Sequence, residues 1–133
     1  MEIPSRENED LFGTCKFVTE LKPSDFDPVQ TWKLRNHKCS IVLFYAPWCP
    51  HCQHQVKMWN DLGEKAAFFD VCSFNCEKNS GHLMKIKEDR PDMVNGYPTF
   101  IIYKNGEPVE RTGKSDDERN VQYLLKACMR SCK

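Results

Sequence analysis

Two cysteines separated by two residues, Cys49 and Cys52, stand just behind the apolar run Ile41-Val42-Leu43-Phe44 and at the head of a helix-like segment. Helical spacing puts both sulfurs on one face of a first turn, close enough to bond each other with little backbone movement. Pro50 suits the first helical position, where its missing N–H costs nothing, so Cys49 falls at about the N-cap. There the positive end of the helix dipole favours a thiolate. A protonated His51 would push the same way. The spacing predicts an exposed nucleophile at Cys49 and a more buried resolving thiol at Cys52. Such a pair suits thiol–disulfide exchange, which needs an attacking thiolate, a second thiol to release the mixed disulfide, and an open face for the partner. Zinc and iron–sulfur sites use the same spacing, so the pair alone leaves those readings open.

Far downstream, Gly96-Tyr97-Pro98-Thr99-Phe100 opens a second β-branched and aromatic run. FYAPWCPHC at 44–52 and GYPTF at 96–100, with Val18-Thr19-Glu20-Leu21 ahead of them, resemble the thioredoxin superfamily, and more closely its protein disulfide isomerase branch. The resemblance covers roughly residues 15–130. It implies an α/β thioredoxin fold, a central mixed sheet of about five strands flanked by helices. It also implies that Pro98 is a cis-proline facing the sulfurs, with Tyr97 presenting backbone polar groups to an extended substrate strand. Cys49, Cys52, Pro50 and His51 would then be catalytic, and Trp48, Tyr97 and Pro98 would bind substrate. No metal and no cofactor is implied beyond a redox-active Cys49–Cys52 disulfide.

By that resemblance the activity is that of a protein thiol–disulfide oxidoreductase. Its partners would be protein thiols and disulfides and an unidentified recycling oxidase or reductase. Pro-His between the cysteines is the spelling of a strongly oxidising periplasmic enzyme and of some isomerase domains, which points to an oxidase or isomerase. Two alternatives stay open: a non-catalytic adaptor that grips extended peptides, and a general thioredoxin-like reductase. The chain departs from the family pattern at two places. Leu43 stands six residues before Cys49, where the family buries an acid that relays the proton of the resolving thiol. Lys57 stands eight residues after it, where the family often has a helix-kinking proline, so a straighter helix is expected. Lys114 or Arg119 is a loose stand-in for an arginine that assists some isomerases.

The elements that must hold these residues follow from the pattern. Residues 1–13 read as a flexible tail and 14–133 as one thioredoxin-like domain. A short strand runs from Cys15 to Leu21. Phe26, Val29 and Trp32 recur at near-helical spacing to about Asn36, behind Ser24 or Asp25 as a cap. Ser40–Tyr45 is a continuous apolar run that suits a central strand covered on both faces. Val56, Trp59, Leu62 and Ala66 mark a helix, which Gly63 weakens at its far end. Phe68–Phe74 is a strand and Ser80 to about Asp89 a helix, stopped ahead of Pro91. Pro98–Tyr103 is a strand, Asn105-Gly106 a tight hairpin turn into Pro108–Thr112, and Ser115-Asp116-Asp117-Glu118 a capping box launching a last helix.

Lysine plus arginine and aspartate plus glutamate number 19 each, so no basic surplus points to nucleic acid or an anionic membrane. No segment is long enough to span a bilayer. The acidic opening has neither the basic nor the apolar region of a secretory signal. A cytoplasmic location is therefore expected, with a virion, or the endoplasmic reticulum after removal of a leader, as alternatives. The pairing of Cys15, Cys39, Cys72, Cys76, Cys128 and Cys132 is open. Cys72 and Cys76 lie about 13 Å apart along a straight strand, too far to bond. Cys72 and Cys128 fit small buried core residues, and Cys132, near a frayed end, fits a reactive thiol or an intermolecular link. A second redox pair or a four-thiolate zinc site is an open reading of the rest.

Overall fold

The computed structural model describes residues 10–133. In chain order the strands are β1 (Thr19–Glu20), β2 (Ser40–Tyr45), β3 (Asp70–Asn75), β4 (Thr99–Lys104) and β5 (Glu107–Thr112). The helices are α1 (Pro50–Gln53), α2 (Val56–Lys65), α3 (Ser80–Asp89) and α4 (Val121–Ser131). The strands form one mixed sheet in the order β1-β3-β2-β4-β5. β1 and β2 run parallel to β3, and β4 is antiparallel to both β2 and β5.

All six residues of β2 are buried. Side chains alternate between faces along a strand, and here the two faces feed separate cores. Ile41, Leu43 and Tyr45 join Cys49, Cys52, Trp59, Leu62 and Leu124 on the side of α2 and α4. Val42 and Phe44 join Phe26, Phe74 and Ile86 on the side of α3. An apolar run without alternation is thus what two covered faces require. The hairpin forms at Asn105-Gly106, with φ of 55° and 81°, the two positive values that a type I′ turn needs.

Several expectations are corrected. No helix spans Phe26 to Asn36. The Asp27 carboxylate accepts from the Val29 and Gln30 N–H groups at 2.9 and 2.8 Å, a local bond that competes with helix. A Phe26–Leu34 bridge then closes the loop and buries both side chains. Only Thr19–Glu20 of the expected first strand pairs in the sheet. Residues 10–13, assigned to the tail, are docked: Phe12 is fully buried edge-to-face on Tyr45, and the Leu11 N–H donates to the Tyr45 hydroxyl. The remainder of that tail assignment, residues 1–9, lies outside the described residues.

The helix after Cys49 is broken rather than straight. At Gln55 the N–H turns to the Cys52 carbonyl, and the Gln55 side-chain amide supplies the bond that the His51 carbonyl would otherwise lack. Gly63 sits where α2 crosses the Phe17 backbone, which leaves no room for a Cβ. The capping-box stretch makes only a short 3-10 turn, Asp116–Glu118, and Asn120 is the residue that caps α4. Cys132 is neither free nor intermolecular: it is bonded to Cys39, with Cα atoms 5.9 Å apart. Cys72 and Cys128 are buried free thiols, as expected.

Candidate active site

Cys49 is the N-cap of α1, with extended backbone (φ −79°, ψ 119°), and Pro50 follows at the first helical position. The Cys49 carbonyl accepts from Cys52 and Gln53 N–H groups, which brings Cys52 one turn beneath it. Both sulfurs are free thiols. Cys52 is fully buried, whereas Cys49 keeps 7 % of its surface exposed. The sequence called for an open nucleophile; the structure leaves a narrow window, because Tyr97 packs against the cluster that contains both cysteines.

Tyr97-Pro98 is a cis peptide, and the Tyr97 carbonyl accepts from Cys49 Sγ at 3.7 Å. The Tyr97 ring meets Trp48 edge-to-face, centroids 6.3 Å apart, and Trp48 is 53 % exposed. A cleft of about 590 Å³ opens beside Pro98, lined among others by Gly96, Tyr97, Phe100, Lys114 and Arg119. The fold therefore gathers Trp48, Cys49, Pro50, Cys52, Tyr97 and Pro98 at the ends of β2 and β4. His51 is exposed on the outer side of α1.

Burial pushes the Cys52 thiol up to about 12. The Ala46 backbone and the Arg119 charge pull it down, and Cys49 adds to the rise. Of the two cations suggested by the sequence, Arg119 is the one that acts on this sulfur. Its guanidinium lies over the Phe100 ring at 5.6 Å, with Nε donating to the Gly113 carbonyl at 2.8 Å. Lys114 is exposed.

Leu43 is fully buried on the face of β2 that carries the cysteine cluster. A half-buried carboxyl nevertheless lies in its cross-strand row. Glu20 registers with Ser73, and Ser73 with Leu43. Glu20 accepts from Ser73 and Tyr45 hydroxyls at 2.7 and 2.9 Å and from the Asn75 N–H at 3.1 Å. Sequence reasoning passed over Glu20 because a lone carboxylate near the end of a short strand reads as solvated. It also passed over Cys76, a buried thiol whose Sγ donates to the Phe74 carbonyl at 3.8 Å and which belongs to the second core cluster against which Tyr97 packs.

A mixed five-stranded sheet with a dithiol at a helix N-terminus and a cis-proline facing it defines the thioredoxin-fold class. The thioredoxin family model matches residues 17–127, and the chain belongs to that family. It is 29 % identical over 129 residues to protein disulfide-isomerase 5-2 of Arabidopsis thaliana, covering 92 % of this chain and 26 % of the relative. It is 31 % identical over 98 residues to the chloroplastic thioredoxin Y1 of the same plant, covering 69 % of this chain and 51 % of the relative. The chain thus spans about a quarter to a half of the length of these relatives. Among solved structures, the J-Trx1 fragment of ERdj5 superposes with a TM-score of 0.66 at 20 % identity, over 88 % of this chain and 50 % of that one. That likeness speaks to the fold.

Proposed function

We propose that the protein is a thiol–disulfide oxidoreductase acting on protein cysteines, on the oxidase and isomerase side of that chemistry, with the Cys49–Cys52 disulfide as its redox group. The observation that carries this is the Cys49 Sγ at a helix N-terminus, hydrogen-bonded to the carbonyl that precedes Pro98. In the oxidising direction a substrate thiolate attacks Cys49 of the Cys49–Cys52 disulfide. The Cys49–Cys52 bond breaks, a substrate–Cys49 mixed disulfide forms, and Cys52 leaves as a thiolate. Because burial holds Cys52 at about 12, it takes up a proton at neutral pH. A second substrate thiolate then attacks the first substrate sulfur and releases Cys49 as a thiolate. Two electrons pass from substrate to enzyme, and a recycling oxidant must remove them. Trp48 and the cleft beside Pro98 supply the substrate contacts.

The Arg119 charge near Cys52 supports turnover in both directions, since it favours the Cys52 thiolate that escapes from or re-attacks a mixed disulfide. Disulfides persist in oxidising compartments and on virions. The Cys39–Cys132 bond thus supports one of those settings over the cytoplasm.

Oxidative refolding of a scrambled, disulfide-bonded substrate, together with insulin reduction, tests the function. The native protein should catalyse refolding, and Cys49→Ser should abolish it. Unchanged refolding rates with Cys49→Ser would overturn the assignment. The direction is read from the Cys49–Cys52 potential. Isomerases sit at about −180 mV and thioredoxin at about −270 mV; a value near the latter favours the reductase reading that the thioredoxin relative supports.

A further inference from the structure

The cleft beside Pro98 carries side-chain charge of one sign. Arg111, Lys114 and Arg119 line it, and among the described residues no carboxylate does. A neighbouring groove, which shares Arg111, is mixed: Asp89, Asp92 and Glu110 line it as well. The chain carries 19 cationic and 19 anionic residues, so the cationic lining belongs to this cleft and is no share of a basic surface. Arg119 is fixed in place, its Nε on the Gly113 carbonyl and its guanidinium over Phe100. Its contact with Asp116 is long, 3.7 Å, and the Asp116 side chain is 96 % exposed. The Glu118 carboxylate is engaged by the Lys114 N–H at 3.0 Å. The Lys114 ammonium and the Arg111 guanidinium have no ion-pair or hydrogen-bond partner among the described residues, and both residues are exposed.

Tyr97 and Pro98 line the same cleft, and the Tyr97 carbonyl accepts from Cys49 Sγ at 3.7 Å. A polypeptide whose cysteine reaches Cys49 can thus lay one flank of its chain in the cationic cleft. We propose that Lys114 and Arg111 select substrates: the cleft takes an aspartate or glutamate side chain close in sequence to the substrate's reacting cysteine. This deepens the exchange reading and rests on it. Three residues of extended chain span about 10 Å, so the acidic residue lies within about three positions of that cysteine. A carboxylate meets two unpaired cations there and breaks no existing pair, whereas a lysine in its place meets three like charges. Complementarity of this kind acts mainly on capture of the partner, and salt screens it.

The test uses the full chain with Cys52→Ser and peptides whose cysteine is activated as a 2-thiopyridyl disulfide. The peptides differ in one residue near that cysteine, which is glutamate, glutamine or lysine. One set places it before the cysteine and another after, which covers both chain directions. The Cys49 thiolate attacks the peptide sulfur, the bond to the pyridyl sulfur breaks, and 2-thiopyridone leaves with the electron pair. A Cys49–peptide disulfide forms and, without Cys52, persists. Thiopyridone absorbance gives the rate, and mass spectrometry locates the adduct on Cys49. In at least one set the glutamate peptide should react about threefold faster than the glutamine peptide and about tenfold faster than the lysine peptide. Lys114→Glu with Arg111→Glu should invert that order; Arg119 is left in place because its charge also acts on Cys52. Raising NaCl to about 0.5 M should collapse the difference in the protein with its native cleft. Equal rates for the three peptides in both sets, an order that survives the charge reversal, or a difference that salt leaves intact would each overturn the inference. If the charge-reversed protein does not fold, the salt series decides. The activated peptide reacts with any accessible Cys49 thiol, so a protein that is selective here but inert in oxidative refolding would sink the functional reading alone.

Discussion

Glu20 is a carboxyl in a place where its charge is disfavoured. Three donors reach it, yet burial outweighs them, and with a contribution from Asp10 it is pushed up from 4.5 to about 7. Asp10 is itself held by Asn75 Nδ2 and paired with Lys78 at 3.2 Å. Between pH 4.5 and 7 the folded chain holds a proton on Glu20 that the unfolded chain has lost. Unfolding releases that proton, so stability falls as pH rises through this window and levels off above it. The loss should be about 1–3 kcal/mol. Denaturant melts at pH 5 and pH 8 should show it, and Glu20→Gln should flatten the difference. A pH-independent midpoint in the native protein would show that Glu20 is ionised throughout. Leu43, two strands away in the same row, has no charge with which to take the Cys52 proton. That leaves Arg119 as the group whose charge favours the Cys52 thiolate.

The elements show how local bonds override pattern. The helix behind the cysteines has no proline at Lys57, yet it breaks, because the Gln55 side chain replaces a backbone bond and makes the break cheap. At the other end of the chain, Ser115 and Glu118 have the spacing of a capping box, but the Ser115 side chain makes no cap bond. The Asn120 side chain instead accepts from the Tyr123 N–H at 2.9 Å and donates to the Asp117 carbonyl. Asn120→Ala should therefore cost about 1 kcal/mol, while Ser115→Ala should stay within a few tenths. Thermal melts of the two variants check this, and the reverse ranking would return the cap to Ser115.

For the molecule as a whole, the Cys39–Cys132 bond joins the residue before β2 to the C-cap of α4 across 93 residues. Cys39 is already seated on the sheet, its carbonyl accepting from the Asp70 N–H at 2.9 Å. Closing a loop of that length in the unfolded chain is worth about 4–5 kcal/mol in the chain-entropy description. Cys39→Ala with Cys132→Ala should lower Tm by on the order of 10 °C. Reduction of the native protein should do the same. An equal Tm with and without reductant would remove the bond from the account of stability. Cys39 and Cys132 both pack against the core cluster that holds Cys52.

What the amino-acid order determined by itself was the local chemistry: the two thiols on a first helical turn, the Tyr97-Pro98 motif, the apolar run Ile41-Val42-Leu43-Phe44 of β2, the Asn105-Gly106 hairpin and the bounds of α3. Each rests on neighbours within a few residues, where spacing and side-chain type decide geometry. The tertiary structure decided what depends on partners far along the chain. Glu20 meets Ser73 and Tyr45, Cys49 meets the Tyr97 carbonyl, and Cys39 meets Cys132, because the fold sets segments side by side that the sequence keeps apart. Burial follows from the same assembly, and burial is what raises the Cys52 and Glu20 values and narrows the opening at Cys49. A charge's environment is a sum over everything packed around it, and no stretch of sequence contains that sum.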